Sequence, residues 1–501
     1  MRIRLITVLL SAAALVLTGC SAPGPDAAST DAAGSTLRIG ALGATTDTLN
    51  PYSTNGNADY LALAHIYEHL VVLRDGEATN MLAESIEPNA DASEWTVAIR
   101  EGATFSDGEP VTADDVVASL ETLRDPNVSP SYASFYGDVE SVAKVDDRHV
   151  VIDLARPRGD FLTTVLALYS IVTPAGFSDW TEPIGSGDYM LESYAPGERI
   201  VLTAREDLGA EAPAIRRLEV QIISDPQARI DALKSGAIDF ATRIDPTTAS
   251  VEASNPDLAI LAGADGSSTA LGFEMNVTLP PFDDPKVREA MKLAVDRPAL
   301  VDIVLLGQGR VGNDLVGLGL PGYNASIPQR ERDLDRASTL FADAGVTALT
   351  LRTAEIVPGI TRASELLKEQ LAEVGVTLTL EPSDPASFYA DYETLLSTPF
   401  QVAYYLNRDA GAYLGSFGGS SGFFNVSGYA PESFDALLLE AQSSADPATR
   451  TELFGAAQQQ IWSEGGTILW GYQNELAAHV PGLTGVVFTQ GVPVFAEATL
   501  G

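Results

Sequence analysis

The chain has 501 residues, with 68 acidic against 30 basic side chains and a formal charge of −38. A surface so acidic argues against nucleic acid or anionic lipid as a partner. The single cysteine excludes a disulfide within one molecule, and the length calls for two or three domains rather than one core.

Arg2 and Arg4 precede an apolar run over 5–17 that is too short to span a bilayer and ends in Leu17-Thr18-Gly19-Cys20. This is the layout of an export signal. Its last four residues resemble a bacterial lipoprotein box, which predicts a signal peptide at 1–19 and acylation of Cys20. Two or three acyl chains, at about 0.8 kcal/mol per buried CH₂, would hold the protein on a membrane. The stretch 20–35 is made of small and polar residues. It carries too little apolar surface to order itself and reads as a flexible spacer. No later apolar run is long, so the body reads as a water-facing globular protein.

Residues 37–42 alternate like a strand, 45–51 form a turn-rich loop, and 60–72 read as a helix. A strand is predicted at 95–100, then a turn at 105–110 built on Asp107-Gly108. Thr112 follows as an N-cap with Asp115 at the capping-box position, and Val116, Leu120 and Leu123 repeat at helical spacing. Strands are predicted at 149–154 and 218–223, a helix at 225–235 closed by Gly236, and a strand at 238–240. From about residue 285, predicted helices at 285–306, 334–344, 361–374, 431–443 and 448–463 alternate with short strands at 349–351, 376–380, 401–405 and 468–470. Such alternation predicts an α/β fold whose sheet is covered on both faces.

Several phrases in this pattern resemble the extracytoplasmic solute-binding proteins of ABC importers, family 5, the group of oligopeptide, dipeptide and nickel binders. The most specific runs from Ile99-Arg100-Glu101-Gly102 through Phe105-Ser106-Asp107-Gly108-Glu109-Pro110 to Thr112-Ala113-Asp114-Asp115-Val116. Met81-Leu82-Ala83-Glu84-Ser85, Ile184-Gly185-Ser186-Gly187-Asp188-Tyr189, Phe282-Asp283-Asp284-Pro285 and Asp335-Arg336-Ala337 are similar to further family phrases. The resemblance implies a two-lobed periplasmic-binding-protein fold of type II, its lobes joined by two hinge strands and an extra domain inserted in the first. On that pattern the first lobe is expected at 36–84 and 181–270, the insertion at 85–180, the second lobe at 271–474, and a return to the first lobe at 475–501. It further implies a monomeric receptor without cofactor or catalysis, working outside the cytoplasm with ABC permease and ATPase subunits and touching the membrane only through its lipid.

In peptide-binding members an aspartate after a second-lobe strand captures the ligand's α-amino group. The matching stretch here is Tyr404-Tyr405-Leu406-Asn407-Arg408-Asp409, in which Asp409 either serves that role or forms a solvated pair with Arg408. Aromatic residues in a Gly-rich segment suit an enclosed organic ligand, so Tyr404, Tyr405, Asn407, Asp409, Phe424 and Asn425 are the expected ligand-binding residues. Thr45, Asp47, Asn57 and Asn313 are weaker candidates. A short peptide is the first expected ligand, with an oligosaccharide or a metal chelate as alternatives. The segment His65-Ile66-Tyr67-Glu68-His69 also fits the His-x-x-Glu-His pattern of zinc hydrolases, which needs both imidazoles on one helical face. The same segment resembles the binding family's own helix, and no metal is expected.

Overall fold

The computed structural model describes residues 36–53, 57–74, 76–130, 132–385, 387–389 and 391–501. The signal, Cys20 and the spacer lie outside the described residues. Three sheets organise the chain. A seven-stranded sheet has the order Ala259–Ala262, Leu476–His479, Phe240–Ala241, Thr36–Ala41, Arg217–Ile222, Arg199–Ala204, Tyr189–Ala195. A six-stranded mixed sheet runs Gly309–Val311, Thr467–Gln473, Thr269–Met275, Phe400–Leu406, Ala348–Thr353, Thr377–Pro382. A four-stranded antiparallel sheet is built from Ala83–Pro88, Glu94–Ile99, His149–Leu154 and Val139–Lys144.

Chain pattern explains these placements. Trp95, Val97 and Ile99 face inward, as do Val150, Ile152 and Leu154, so each strand hides one face and wets the other. In Thr467–Gln473, which is paired on both sides within the six-stranded sheet, every residue but the last is buried, as a strand covered on both faces requires. The four-stranded sheet shares one continuous apolar core with the seven-stranded one. The six-stranded sheet has its own. The chain passes from the first lobe to the second between Ala262 and Thr269, and back between Gln473 and Leu476. These two short crossings bring the lobes together.

The capping box is present: Thr112 precedes the helix Ala113–Arg124, and Asp115 accepts hydrogen bonds from both the backbone N–H and the hydroxyl of Thr112. Gly236, at φ +72°, follows the helix Pro226–Lys234 in the left-handed region that glycine supplies at least cost.

Three elements differ from expectation. The helix predicted at 285–306 is two helices, Pro285–Ala294 and Arg297–Val304. Asp296 caps the second by accepting from Ala299 N–H at 3.0 Å, and Pro298 in its first turn has no N–H to continue the first. The helix predicted at 60–72 is Asn57–Ile66, followed by a strand Val71–Arg74. It stops because the Gly185-Ser186-Gly187 turn lies across its end. Gly187 N–H donates to Ile66 O at 2.9 Å, and a Cβ on Gly187 would overlap the His65 carbonyl. The Gly-rich aromatic segment, in which no helix is predicted before residue 431, holds one at Ala410–Phe417.

Candidate functional site

A cavity of about 520 Å³ lies between the lobes, within the roughly 300–1,000 Å³ range of small-ligand sites. Segments far apart in sequence form its walls. The first lobe contributes Tyr60, Tyr67, Glu68, His69 and Arg74; the inserted domain contributes Leu123, Tyr132 and Tyr169. Arg243, Ser267, Ser268 and Glu475 lie at or beside the lobe crossings. Leu406, Asn407 and Arg408 come from the end of a second-lobe strand, and residues 488–494 of the C-terminal hairpin close one side.

Apolar and aromatic surface alternates here with charges of both signs. Glu68 pairs with Arg100 at 3.1 Å, and its carboxyl is raised because burial outweighs that cation. Burial likewise pushes Glu475 up to about 7, against the opposing pull of Arg243, whose Nε is 3.6 Å away. Arg74 reaches Glu497 at 3.4 Å, while its buried Nε has no partner. Arg408 has no acidic partner among the described residues. Its guanidinium carbon sits 5.7 Å from the Phe417 ring centroid, and its buried Nε is also unpartnered.

Of the six residues expected to bind ligand, Asn407 alone lines this cavity. Its amide is fully engaged: Nδ2 donates to Asp265 O at 2.8 Å and Leu318 O at 3.0 Å, and Oδ1 accepts from Gly317 N–H at 2.8 Å. Asp409 is the N-cap of Ala410–Phe417, accepting from Gly411 N–H at 2.8 Å and Ala412 N–H at 3.3 Å. Burial pushes its carboxyl up to about 6 despite those two bonds. No ion pair joins Asp409 to Arg408 among the described residues, so the solvated pair does not form.

Tyr404, Tyr405 and Phe424 instead border a small separate void of about 20 Å³. There Tyr405 OH donates to Glu274 at 2.5 Å, and Tyr404 and Phe424 pack on Tyr389. Asn425 ties its loop by donating to Gly419 O at 2.8 Å and Tyr429 O at 3.1 Å. Asn313 is similarly committed to Pro328 O and Arg330 N–H. Asp47 accepts from Ala44 N–H in its own turn, and neither it nor Thr45 lines the cavity. The Asn57 side chain lies outside the described residues.

The two histidines do not make a metal site. The helix ends at Ile66, so His65 and His69 share no helical face. His65 Nδ1 donates to Leu61 O at 2.7 Å, and Nε2 accepts from Phe495 N–H at 3.0 Å, leaving no free lone pair. His69 Nδ1 accepts from Ser170 N–H at 3.3 Å. Burial lowers both rings to about 4, so both are neutral near pH 7. Among the described residues no group of three or more His, Cys, Asp or Glu is arranged to hold a metal ion.

Away from the cavity, the inserted domain also rests directly on the second lobe. Gly159 N–H donates to Gln442 O at 2.8 Å, and Arg156 Nη2 donates to Gln442 Oε1 at 2.9 Å. A Cβ on Gly159 would overlap the Ser444 carbonyl oxygen and press on Arg450.

A family model described as bacterial extracellular solute-binding proteins, family 5 Middle, matches residues 77–427. The glutathione-binding protein GsiB of Escherichia coli (strain K12) is 27% identical over 469 residues, covering 89% of this chain and 90% of its own length. Among solved structures, the ABC transporter substrate-binding protein CtaP from Listeria monocytogenes matches with a TM-score of 0.82 at 23% identity, over 93% of this chain and 99% of that one. The ABC transporter-associated periplasmic binding protein DppA from Helicobacter pylori, in complex with peptide STSA, matches with a TM-score of 0.76 at 19% identity, over 93% and 98%.

Proposed function

The chain belongs to family 5 of the bacterial extracellular solute-binding proteins, and from that premise we propose that it is the lipid-anchored receptor of an ABC importer, enclosing a short peptide between its lobes and delivering it to the permease. The observation that carries this reading is the interlobe cavity of about 520 Å³, whose aromatic walls bear both carboxylates and guanidinium groups. A zwitterionic peptide carries a charge for Arg408, the one arginine of these walls without an acidic partner among the described residues, whereas a neutral oligosaccharide leaves it unmatched, and a buried unmatched charge is costly. The names of similar proteins add support, since GsiB is named for glutathione and DppA was solved with a peptide. The reading assigns the chain no catalytic step. Cys20, behind its four-residue box, is the proposed site of lipid attachment.

Mass spectrometry of the material released on denaturing the purified protein tests the ligand, and short peptides are the expected occupants. A sugar or a metal chelate would replace the peptide reading. Stoichiometric zinc with peptide hydrolysis abolished by Glu68→Gln would overturn the receptor reading itself. Cys20→Ala should leave the protein unacylated, and a mutant still processed and membrane-bound would rule the anchor out.

Closure yields a prediction of its own. Ligand favours the closed arrangement by its differential affinity for that state, and the Gly159–Gln442 contact exists only while the inserted domain touches the second lobe. Gly159→Ala forces the two surfaces apart without touching the cavity. It is expected to weaken binding of the co-purified ligand about 10- to 100-fold by depleting the competent state, and small-angle scattering should report a larger radius of gyration. Unchanged affinity would show that this contact does not contribute to closure.

A further inference from the structure

Arg408 is unusual in this chain. Acidic side chains outnumber basic ones by more than two to one, yet only Arg408 and the solvent-exposed Arg199, among the described arginines, have neither a hydrogen bond nor an ion pair. Arg408 lines the interlobe cavity and is partly buried, with no partner for its buried Nε. The other cavity arginines are matched: Arg243 faces Glu475 and Arg74 faces Glu497. A guanidinium partly withdrawn from water and left unpaired carries a cost that a ligand supplying the missing anion relieves.

Its surroundings hold it ready. On one side Asn407 is fixed by three hydrogen bonds; on the other Asp409 is fixed as a helix cap. The Arg408 guanidinium lies beside the Phe417 ring, which in turn packs on Tyr405 and Tyr413. A planar fork positioned in this way suits a carboxylate, which accepts two parallel N–H bonds. At the strand end just before it, Leu406 presents an exposed apolar side chain to the same cavity.

We infer that Arg408 is the anchor for a carboxylate of the bound solute, with Leu406 supplying an apolar contact beside it. This rests on the receptor reading above and narrows it to acids rather than to neutral or purely cationic solutes. Phe417, Asn407 and Asp409 are positioning residues: they set the guanidinium without touching the ligand.

The test pairs two readouts. Mass spectrometry of the occupant released from denatured protein should find a carboxylate-bearing molecule. Calorimetry with di- to tetraalanine and the matching C-terminal carboxamides should find an acid that binds at one to one and an amide weaker by at least about 30-fold, the scale for losing one partner of a hydrogen-bonded charge pair. Arg408→Gln should bring acid and amide within about threefold of each other, and Arg408→Lys should fall between. Because the Arg408 side chain makes no hydrogen bond or ion pair among the described residues, Arg408→Gln should melt close to the wild type. A neutral occupant, equal binding of acid and amide, or full affinity in Arg408→Gln would each overturn the assignment while leaving a receptor in place. No occupant together with no peptide binding would instead remove the receptor reading, and the anchor with it.

Discussion

Asp314→Ala is expected to lower the unfolding free energy by about 3–5 kcal/mol, the usual result of removing one partner from a buried ionic cluster. The Asp314 carboxylate is wholly buried. It accepts from Arg297 Nη2 at 2.6 Å and from Arg330 Nε at 2.8 Å. Burial alone would raise its pKa, but Arg297, Arg330 and Lys292 together hold it below the usual carboxylate value. Lys292 is itself buried, donating to Trp462 O at 2.8 Å, and burial brings it down to about 7. Without the carboxylate, this cationic group has no counterion at its centre. Asp314 also sits at φ +59°, which aspartate and asparagine adopt at less cost than alanine. Asp314→Asn therefore keeps the backbone while removing the charge, and it should still lose most of the stability. The measurement is a urea midpoint at unchanged slope. A loss below about 1 kcal/mol in Asp314→Asn would mean that the arginines find other partners at little cost. The cluster also bears on binding. The same segment presents Gly317 N–H and Leu318 O to Asn407, and Asn407 precedes Arg408.

Local chemistry was legible from the sequence where it was self-contained. The capping box at Thr112 and Asp115, the alternation of 149–154 and the glycine after Lys234 each depend on a few neighbouring residues, and each forms as read. The helix expected to run on past Ile66 fails for a tertiary reason, since what ends it is a turn more than 100 residues later. The cavity is harder still. Glu68, Arg243, Arg408, Glu475 and the hairpin at 488–494 meet only through the topology of two sheets, and no spacing among them announces a site. The polar run after the strand Phe400–Leu406 does border this cavity. Its individual roles were not readable there, because an aspartate that caps a helix and one that holds a ligand look alike in sequence. Asn407 and Asp409 are occupied by backbone groups, and the free charge is the residue between them.

The residues expected to bind ligand but turned toward the second-lobe core make a pH prediction. Glu274 is buried, with Tyr405 OH donating to Oε2 at 2.5 Å and Thr467 Oγ1 donating to Oε1 at 3.0 Å. Burial pushes its carboxyl up to about 7 against those two bonds. Between the unfolded value near 4.5 and about 7, the folded protein then binds more protons at this site than the unfolded chain, so its contribution to stability falls as pH rises through that window and is constant above it. A shift of this size corresponds to about 3 kcal/mol. Glu475 and Asp409 act with the same sign. His65 and His69, lowered to about 4, act with the opposite sign between about 4 and 6.5, so the wild-type profile mixes several groups. The difference between wild type and Glu274→Gln isolates one. The variant should be about as stable as wild type at pH 5 and roughly 3 kcal/mol more stable at pH 8, because a neutral amide replaces a carboxylate that must otherwise ionise in the core. Unfolding curves at those two pH values measure this difference. A constant difference across the window would mean that Glu274 is already ionised at pH 5, with its charge balanced by Tyr405, Thr467 and the cation of Lys292.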